Sequence, residues 1–359
     1  MSDRSATAQL YSARPEFAID GEDSPDLAEG LLALAVHEDV SGLFSCEAVF
    51  GNWGTHSGAV EFLYFDRQVF DFGRELTITM GSGDRSAQVF QGRVSGLEGR
   101  FPQQRPPELL VMAEDRFQDL RMVRRTRSFE NVTLDDLVSE ITSDHGLQSD
   151  VDVDSPTFLT IAQVNQSDLA FLRERARAVD AEIWMDGDTL HAQARRRRRT
   201  AEVTLTYGQS LHECAFNADL THQRTKLLVS GWDVSSREGI DEEADKSVLG
   251  AELEGLSGAE LLESAFGARE DRLVHCVPQS TTEARSLAET EFKRLARSFV
   301  SGRAVAEGDA RIRAGAKVTL RGLGPLFDGA FYVTDARHTF DATYGYRTHF
   351  SAERPWMGR

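Results

Sequence analysis

The sequence predicts an α+β fold, mostly β. Two β-rich regions of barrel or sandwich type flank a small α/β unit, and a helix-containing insertion interrupts the second. Three observations carry this expectation. Short apolar runs with period-two alternation fill the first 128 residues and return after position 200. Helix-capping signals followed by apolar stripes spaced three or four apart cluster in 129–192 and 236–305. A chain of 359 residues, 40% hydrophobic and 27% charged, excludes global disorder. That length accommodates about two or three domains of ~100–200 residues.

Residues 1–14 are small and polar and read as a flexible arm. From 15 to 128, apolar runs at 32–36, 44–50, 76–80, 89–94 and 109–112 are broken by Gly, Pro and Asp. Leu76, Ile78 and Met80 alternate with Thr77 and Thr79, which places one face of a strand in a core. Gly81-Ser82-Gly83-Asp84 has no helix after it and reads as a hairpin turn. In 129–194, Thr133 and Asp136 form a capping-box pattern ahead of a stripe of Leu134, Leu137, Val138 and Ile141, with Gly146 at the C-cap. Ser167 caps a second helix with the stripe Leu169, Leu172, Ala176 and Val179. The segments 182–185 and 189–192, joined through Asp186-Gly187, read as a hairpin. β texture resumes in 195–235 and in 306–359. Between them, 236–305 is an acidic insertion with a short helix opening at Ser257 and Glu260. A longer one opens at Ser280 and Glu283, with Ala284, Leu287, Ala288, Phe292, Leu295 and Phe299 on its apolar face. No short-period repeat is evident.

Charge narrows the partners. Forty Lys and Arg stand against 58 Asp and Glu, a net of −18. Such a surface repels phosphate backbones and anionic lipid. Residues 129–192 alone carry fourteen acids against three bases. No run reaches the ~18–20 apolar residues a membrane span needs. Residues 1–9 show no secretory signal, and Cys46, Cys214 and Cys276 are few and scattered. Synthesis in the cytoplasm without a signal peptide is the expectation.

Few residues suggest chemistry. The run Arg195, Arg196, Arg197, Arg198 and Arg199 is either a grip on an acidic or phosphate surface or a solvated linker. A second basic cluster, Arg121, Arg124, Arg125 and Arg127, lies on the other side of the acidic unit. The two serve equally as intersubunit or intramolecular ion-pair surfaces. His212 with Cys214, and His275 with Cys276, are read as structural. No His-Glu-x-x-His, Cys-x-x-Cys, Gly-x-Ser-x-Gly or phosphate-loop pattern occurs. Hence no catalytic residue, metal or cofactor is expected.

The order of segments adds a resemblance. Ser128-Phe129-Glu130-Asn131-Val132-Thr133, and a helix ending at Asp144-His145-Gly146-Leu147, resemble phage late control gene D proteins and the hub portion of VgrG spikes. The run Gln163-Val164-Asn165-Gln166-Ser167-Asp168-Leu169-Ala170-Phe171-Leu172-Arg173 is its most specific part. Val229-Ser230-Gly231-Trp232-Asp233, Gly315-Ala316-Lys317-Val318 and Gly329-Ala330-Phe331-Tyr332-Val333 continue it, as does His338 before Tyr344-Gly345-Tyr346. The likeness covers about 15–355. Asp180 stands where the family commonly has Gly, and the stretch 236–270 is less familiar.

The resemblance implies two tandem β-barrel domains, 15–128 and 195–235 with 306–359, around the α/β domain 129–194. It implies the structural baseplate hub of a contractile injection system or phage-tail-like particle, a homotrimer joining a six-fold inner tube to a three-fold spike. The implied partners are a separate spike-tip protein, inner tube or tube-initiator proteins and other baseplate proteins, with no nucleic acid and no membrane span. The alternative is a baseplate-associated cell-wall hydrolase, betrayed by titrating acids in a cleft. After the second barrel pattern, nine residues, 351–359, remain. Among them Trp356 is expected either as an exposed anchor for the spike tip or packed back on its own barrel.

Overall fold

The computed structural model of the chain describes residues 14–358 except 57–58, 82–85, 199, 234–235, 275 and 277. The expected arm, apart from Arg14, and the Gly81–Asp84 turn beyond its first residue lie outside the described residues, as do Arg199 and His275. Local expectations hold where patterns were strong. Glu75–Met80 is a strand burying Leu76, Ile78 and Met80. Helix Leu134–Asp144 opens on a capping box in which Thr133 and Asp136 each bond the other's backbone N–H. Ser167 caps Asp168–Ala178 and Ser280 caps Thr281–Arg297. Ala181–Asp186 and Thr189–Ala194 form the hairpin. No helix among the described residues is long and apolar enough to cross a membrane.

The fold is mostly β, as expected, but the two barrels are not separate. One 13-stranded sheet runs through both halves, and among the described residues no pairing closes either half into a ring. The joint is strand Gly329–Asp341, which pairs with Leu31–Asp39, Asp335 opposite Asp39 and Asp341 opposite Ala33. Its neighbour Lys317–Arg321 covers only Gly329 to Tyr332. The remaining backbone edge needs a partner, and the first half supplies it. The cores interlock accordingly: Ala310, Phe340 and Tyr346 belong to the cluster built from Phe17 to Ala113.

The two halves repeat one pairing pattern. Strands Leu31–Asp39, Ser45–Gly51, Glu75–Met80, Ala87–Arg100 and Glu108–Glu114 have counterparts in Leu211–Ala218, Val300–Glu307, Lys317–Arg321, Gly329–Asp341 and Gly345–Arg354. In the long hairpin, Arg93 opposite Glu114 matches Tyr332 opposite Glu353, each pair offset by 239 positions. Both hairpins carry a bulge two residues later, at Ser95 and at Thr334. A second shared bulge falls at Leu32 and His212, after Leu31 opposite Phe50 and Leu211 opposite Ala306. Even the edge bonds repeat: Gly73 N–H to Val94 and Val94 N–H to Arg74 correspond to Gly315 to Val333 and Val333 to Ala316. Side chains diverge, so no sequence repeat is visible.

Two smaller units hang on this sheet. Residues 117–192 enclose their own core. Among the described residues, strand Lys226–Asp233 pairs only with Glu238–Asp245 and Glu270–Leu273, and helix Thr281–Arg297 packs on it. The pairing therefore draws the helical unit from Lys226 rather than 236. It also returns Val300–Glu307 to the main sheet, where it lies between Leu211–Ala218 and Gly345–Arg354.

Candidate interaction surfaces

The arginine run leaves hairpin strand Thr189–Ala194 and turns back on the second half of the sheet. Arg198 is buried, donates to Glu182 at 2.9 Å and stacks 4.1 Å over Trp184. Arg195 donates to Glu353 at 2.6 Å and lies 4.0 Å over the Tyr332 ring. The Tyr332 hydroxyl donates to Glu182 at 2.6 Å, and burial lifts its pKa well above the usual range, so it keeps its proton. Arg196 and Arg197 reach outward to Asp154, at 2.7 and 2.6 Å, and Arg197 also bonds Asp152 at 2.6 Å. Arg195 to Arg198 are thus paired within the chain rather than left as a solvated linker. Asp152, Asp154 and Glu182 of the neighbouring unit and Glu353 of the sheet neutralise these four, and at the buried end the Glu182 carboxylate offsets the desolvation of the Arg198 guanidinium.

Two further arginines fix other junctions. Arg297, buried, bonds Glu252 at 2.8 and 2.7 Å and Asp180 at 2.9 Å. Burial alone would lower its pKa, but these bonds outweigh it and raise it. Asp180 adopts φ 55°, the left-handed conformation that suits Gly and that Asp tolerates. Arg313 bonds Glu38 at 2.8 and 3.0 Å across the two halves.

Trp356 is buried, not exposed. Strand Trp356–Met357 pairs with Leu256–Ser257 of the helical unit, and the Arg354 guanidinium sits 3.9 Å over the Trp356 ring and 4.2 Å over Phe331. Burial pushes the Arg354 pKa down to about 10, while carbonyls of Leu326 and Asp328 hold the cation at 2.7 and 2.9 Å. Gly329, at φ 124°, lets the indole approach; a Cβ there would stand 2.6 Å from Trp356 Cη2. The structure does bring the nominated residues together: Arg195, Arg196, Arg198 and Trp356 line one groove of about 590 Å³.

A different surface escaped sequence reading. Trp53, Phe62, Phe65 and Phe101 are 48%, 44%, 36% and 68% exposed. They form a mutual cluster with ring centroids 5.1 Å apart for Trp53–Phe62, 5.0 Å for Phe62–Phe65 and 5.6 Å for Phe65–Phe101. Its signal was the density of phenylalanine in 62–72, where no polar face alternates with them.

Another cleft, about 510 Å³, gathers Glu38, Asp115, Asp150 and His191 among its walls. Asp115 accepts from the backbone N–H of Phe44 at 2.9 Å and Phe117 at 3.0 Å, and burial pushes its pKa up to about 7. Glu38 is held by Arg313 and Asp150 by His191, at 2.9 Å. No cluster of three or more metal-ligating side chains occurs among the described residues.

Comparison with known proteins follows from this architecture. A family described as the Alg8 N-terminal domain matches residues 19–342. No curated protein matches the sequence. The 43 kDa tail protein of prophage MuSo2 from Shewanella oneidensis is similar at TM-score 0.69 and 14% identity, over 95% of this chain and 98% of that one. A tail protein from Neisseria meningitidis MC58 gives 0.70 and 11%, over 96% and 98%. An E. coli component of the type VI secretion system, described as structurally similar to the T4 tail proteins gp27 and gp5, gives 0.59 and 11%, over 92% and 75%. The fold is therefore similar to that of phage-tail and type VI secretion proteins, and the chain belongs to the Alg8 N-terminal domain family.

Proposed function

We propose that this chain is the structural hub of a baseplate, in a contractile injection system or phage-tail-like particle. Three copies join a six-fold inner tube to a three-fold spike. The observation that carries this reading is the duplicated five-strand pairing with its two shared bulges. A chain built of two like halves offers each partner two similar sites per copy, so a three-fold ring doubles as an approximate six-fold one. The likeness to tail and type VI secretion proteins supports the same setting. The partners are a second and third copy, a separate spike-tip protein, inner tube or tube-initiator proteins and other baseplate proteins. The chain is made in the cytoplasm and resides in the assembled particle.

The work is mechanical rather than catalytic. In the cleft of about 510 Å³, Glu38, Asp115 and Asp150 are engaged by arginine, backbone N–H groups and histidine respectively, which supports the structural reading; Asp115, pushed up to about 7, is the one observation on the side of the hydrolase alternative. Reconstruction of native particles tests the hub reading. Three copies beneath the tube are expected; six copies, or one, overturn it.

A further inference from the structure

Arg198, Arg297 and Arg354 are all buried, at 6%, 3% and 2% exposure. The first two have carboxylates: Glu182 for Arg198, and Glu252 with Asp180 for Arg297. Arg354 has none within ion-pair distance among the described residues. Its two Nη atoms donate to the carbonyls of Leu326 and Asp328, and Trp356 and Phe331 lie against the guanidinium. Its Nε–H has no partner. Glu254 and Asp328 act on it through space, yet burial still lowers its pKa, whereas the carboxylates on Arg297 raise that one. Carbonyl dipoles hold a cation without neutralising it, and a desolvated charge lacking a counterion is costly.

Arg354 belongs to the wall of the 590 Å³ groove that also contains Arg195, Arg196 and Arg198. Those three, and Lys317 in the same wall, already have acids: Glu353 at 2.6 Å, Asp154 at 2.7 Å, Glu182 at 2.9 Å and Glu254 at 3.6 Å. Glu252 is taken by Arg297. Glu202 has no ion pair among the described residues, but it is exposed, so water screens it. The groove therefore carries one desolvated positive charge without a counterpart. Arg198 adds a second open donor. Its Nε–H also lacks a partner, and it lies beside Gly315, where a Cβ would stand 2.4 Å from that nitrogen. Ala251, Ala330, Phe331, Pro355 and Trp356 make the apolar part of the wall.

We propose that this groove is a binding site for a small organic monocarboxylate with an apolar body, whose carboxylate compensates Arg354. Charge and shape set the class. One missing negative charge matches a monoanion, held by a charge-assisted contact to the guanidinium. A phosphate dianion would meet Glu202, Glu252, Glu254 and Glu353 in the same wall and be repelled. The volume falls within the roughly 300–1,000 Å³ of small-molecule sites, whose walls are mostly apolar with a few placed polar groups. A ring or a short alkyl chain fits that lining. A free acid and the C-terminal carboxylate of a peptide share this chemistry.

Titration calorimetry and thermal unfolding of the full chain with benzoate test the site. The measurements are made at pH 8, where phosphate is a dianion and Arg354 is still a cation. Benzoate should bind saturably, one per chain, and raise the melting temperature. Benzamide, its uncharged analogue, and inorganic phosphate should each bind at least tenfold more weakly. N-acetyl-Gly-Gly-Phe separates the sources: binding tighter than benzoate identifies a peptide C-terminus, weaker binding a free acid, and either supports the site. Arg354→Met keeps the stem, removes the charge and should lower benzoate affinity at least tenfold. That change also frees the carbonyls of Leu326 and Asp328. Ala251→Trp, at an exposed position of the same wall, therefore serves as the second variant. It crowds the groove, leaves Arg354 in place and should weaken benzoate at least tenfold as well. No saturable benzoate binding to the unaltered chain, or equal binding of benzamide or phosphate, overturns the proposal. So does unchanged benzoate affinity in either variant that keeps its circular dichroism.

Discussion

Arg196 and Arg198 sit two positions apart in one run, yet their surroundings differ completely. The Arg198 and Glu182 side chains are 3% and 8% exposed, whereas those of Arg196 and Asp154 are 60% and 66%. Removing one partner of a desolvated pair leaves an uncompensated buried charge. Arg198→Ala should therefore cost about 3–5 kcal/mol in denaturant unfolding, and Arg196→Ala about 0–1 kcal/mol. His338 makes a prediction about acid. It is fully buried at the joint, with the Tyr346 hydroxyl 2.8 Å from Nδ1, and burial pushes its pKa down to about 4 from 6.5. The unfolded chain takes up this proton first as pH falls. The stabilisation is therefore intact above pH 6.5 and is lost progressively as pH drops through about 4. The span corresponds to roughly 3 kcal/mol. Comparing wild type with His338→Gln between pH 7 and pH 4 should show the variant losing less stability by about that amount; parallel profiles refute it.

Helix starts were the most legible elements, because their determinants lie within four residues of one another. The Thr133–Asp136 and Ser257–Glu260 boxes both form as the spacing predicts. Thr133→Ala leaves the first turn of Leu134–Asp144 with an orphan N–H and should cost about 1 kcal/mol, measurable by thermal unfolding. Strands were legible as segments, for instance Glu75–Met80. Their partners were not, since pairing depends on residues hundreds of positions away. The joint between Gly329–Asp341 and Leu31–Asp39 joins chain segments about 300 residues apart in sequence, and alternation along either strand is the same whichever neighbour covers its edge. The arginine run was ambiguous for the same reason. Its identity as a set of internal ion pairs depends on Glu182, Glu353 and Asp154 being folded against it.

At the scale of the whole molecule, the repeat lives in register and bulges rather than in residue identity, so composition and motif reading passed over it. Equivalent positions accordingly do unequal work. Phe340 fills the first-half core while Phe101 lies on the surface. Phe340→Ala should cost about 3–5 kcal/mol, and Phe101→Ala less than about 1 kcal/mol in the dissociated chain. Denaturant titration of the two variants at low protein concentration checks the contrast, and equal losses refute it. Trp356 was left open between an exposed anchor and packing on its own barrel, and the pairing of Trp356–Met357 with Leu256–Ser257 folds it under Arg354.

The joint ladder also responds differently to forces from different directions. Segments 33–39 and 335–341 lie side by side in antiparallel register. A pull along the strands loads every rung together, and all must fail in one event. A pull across the sheet strains the outermost rung first, and the ladder opens rung by rung like a zipper. The same set of hydrogen bonds is therefore stiff in shear and compliant in peeling, so the orientation of the load sets the lifetime of the joint.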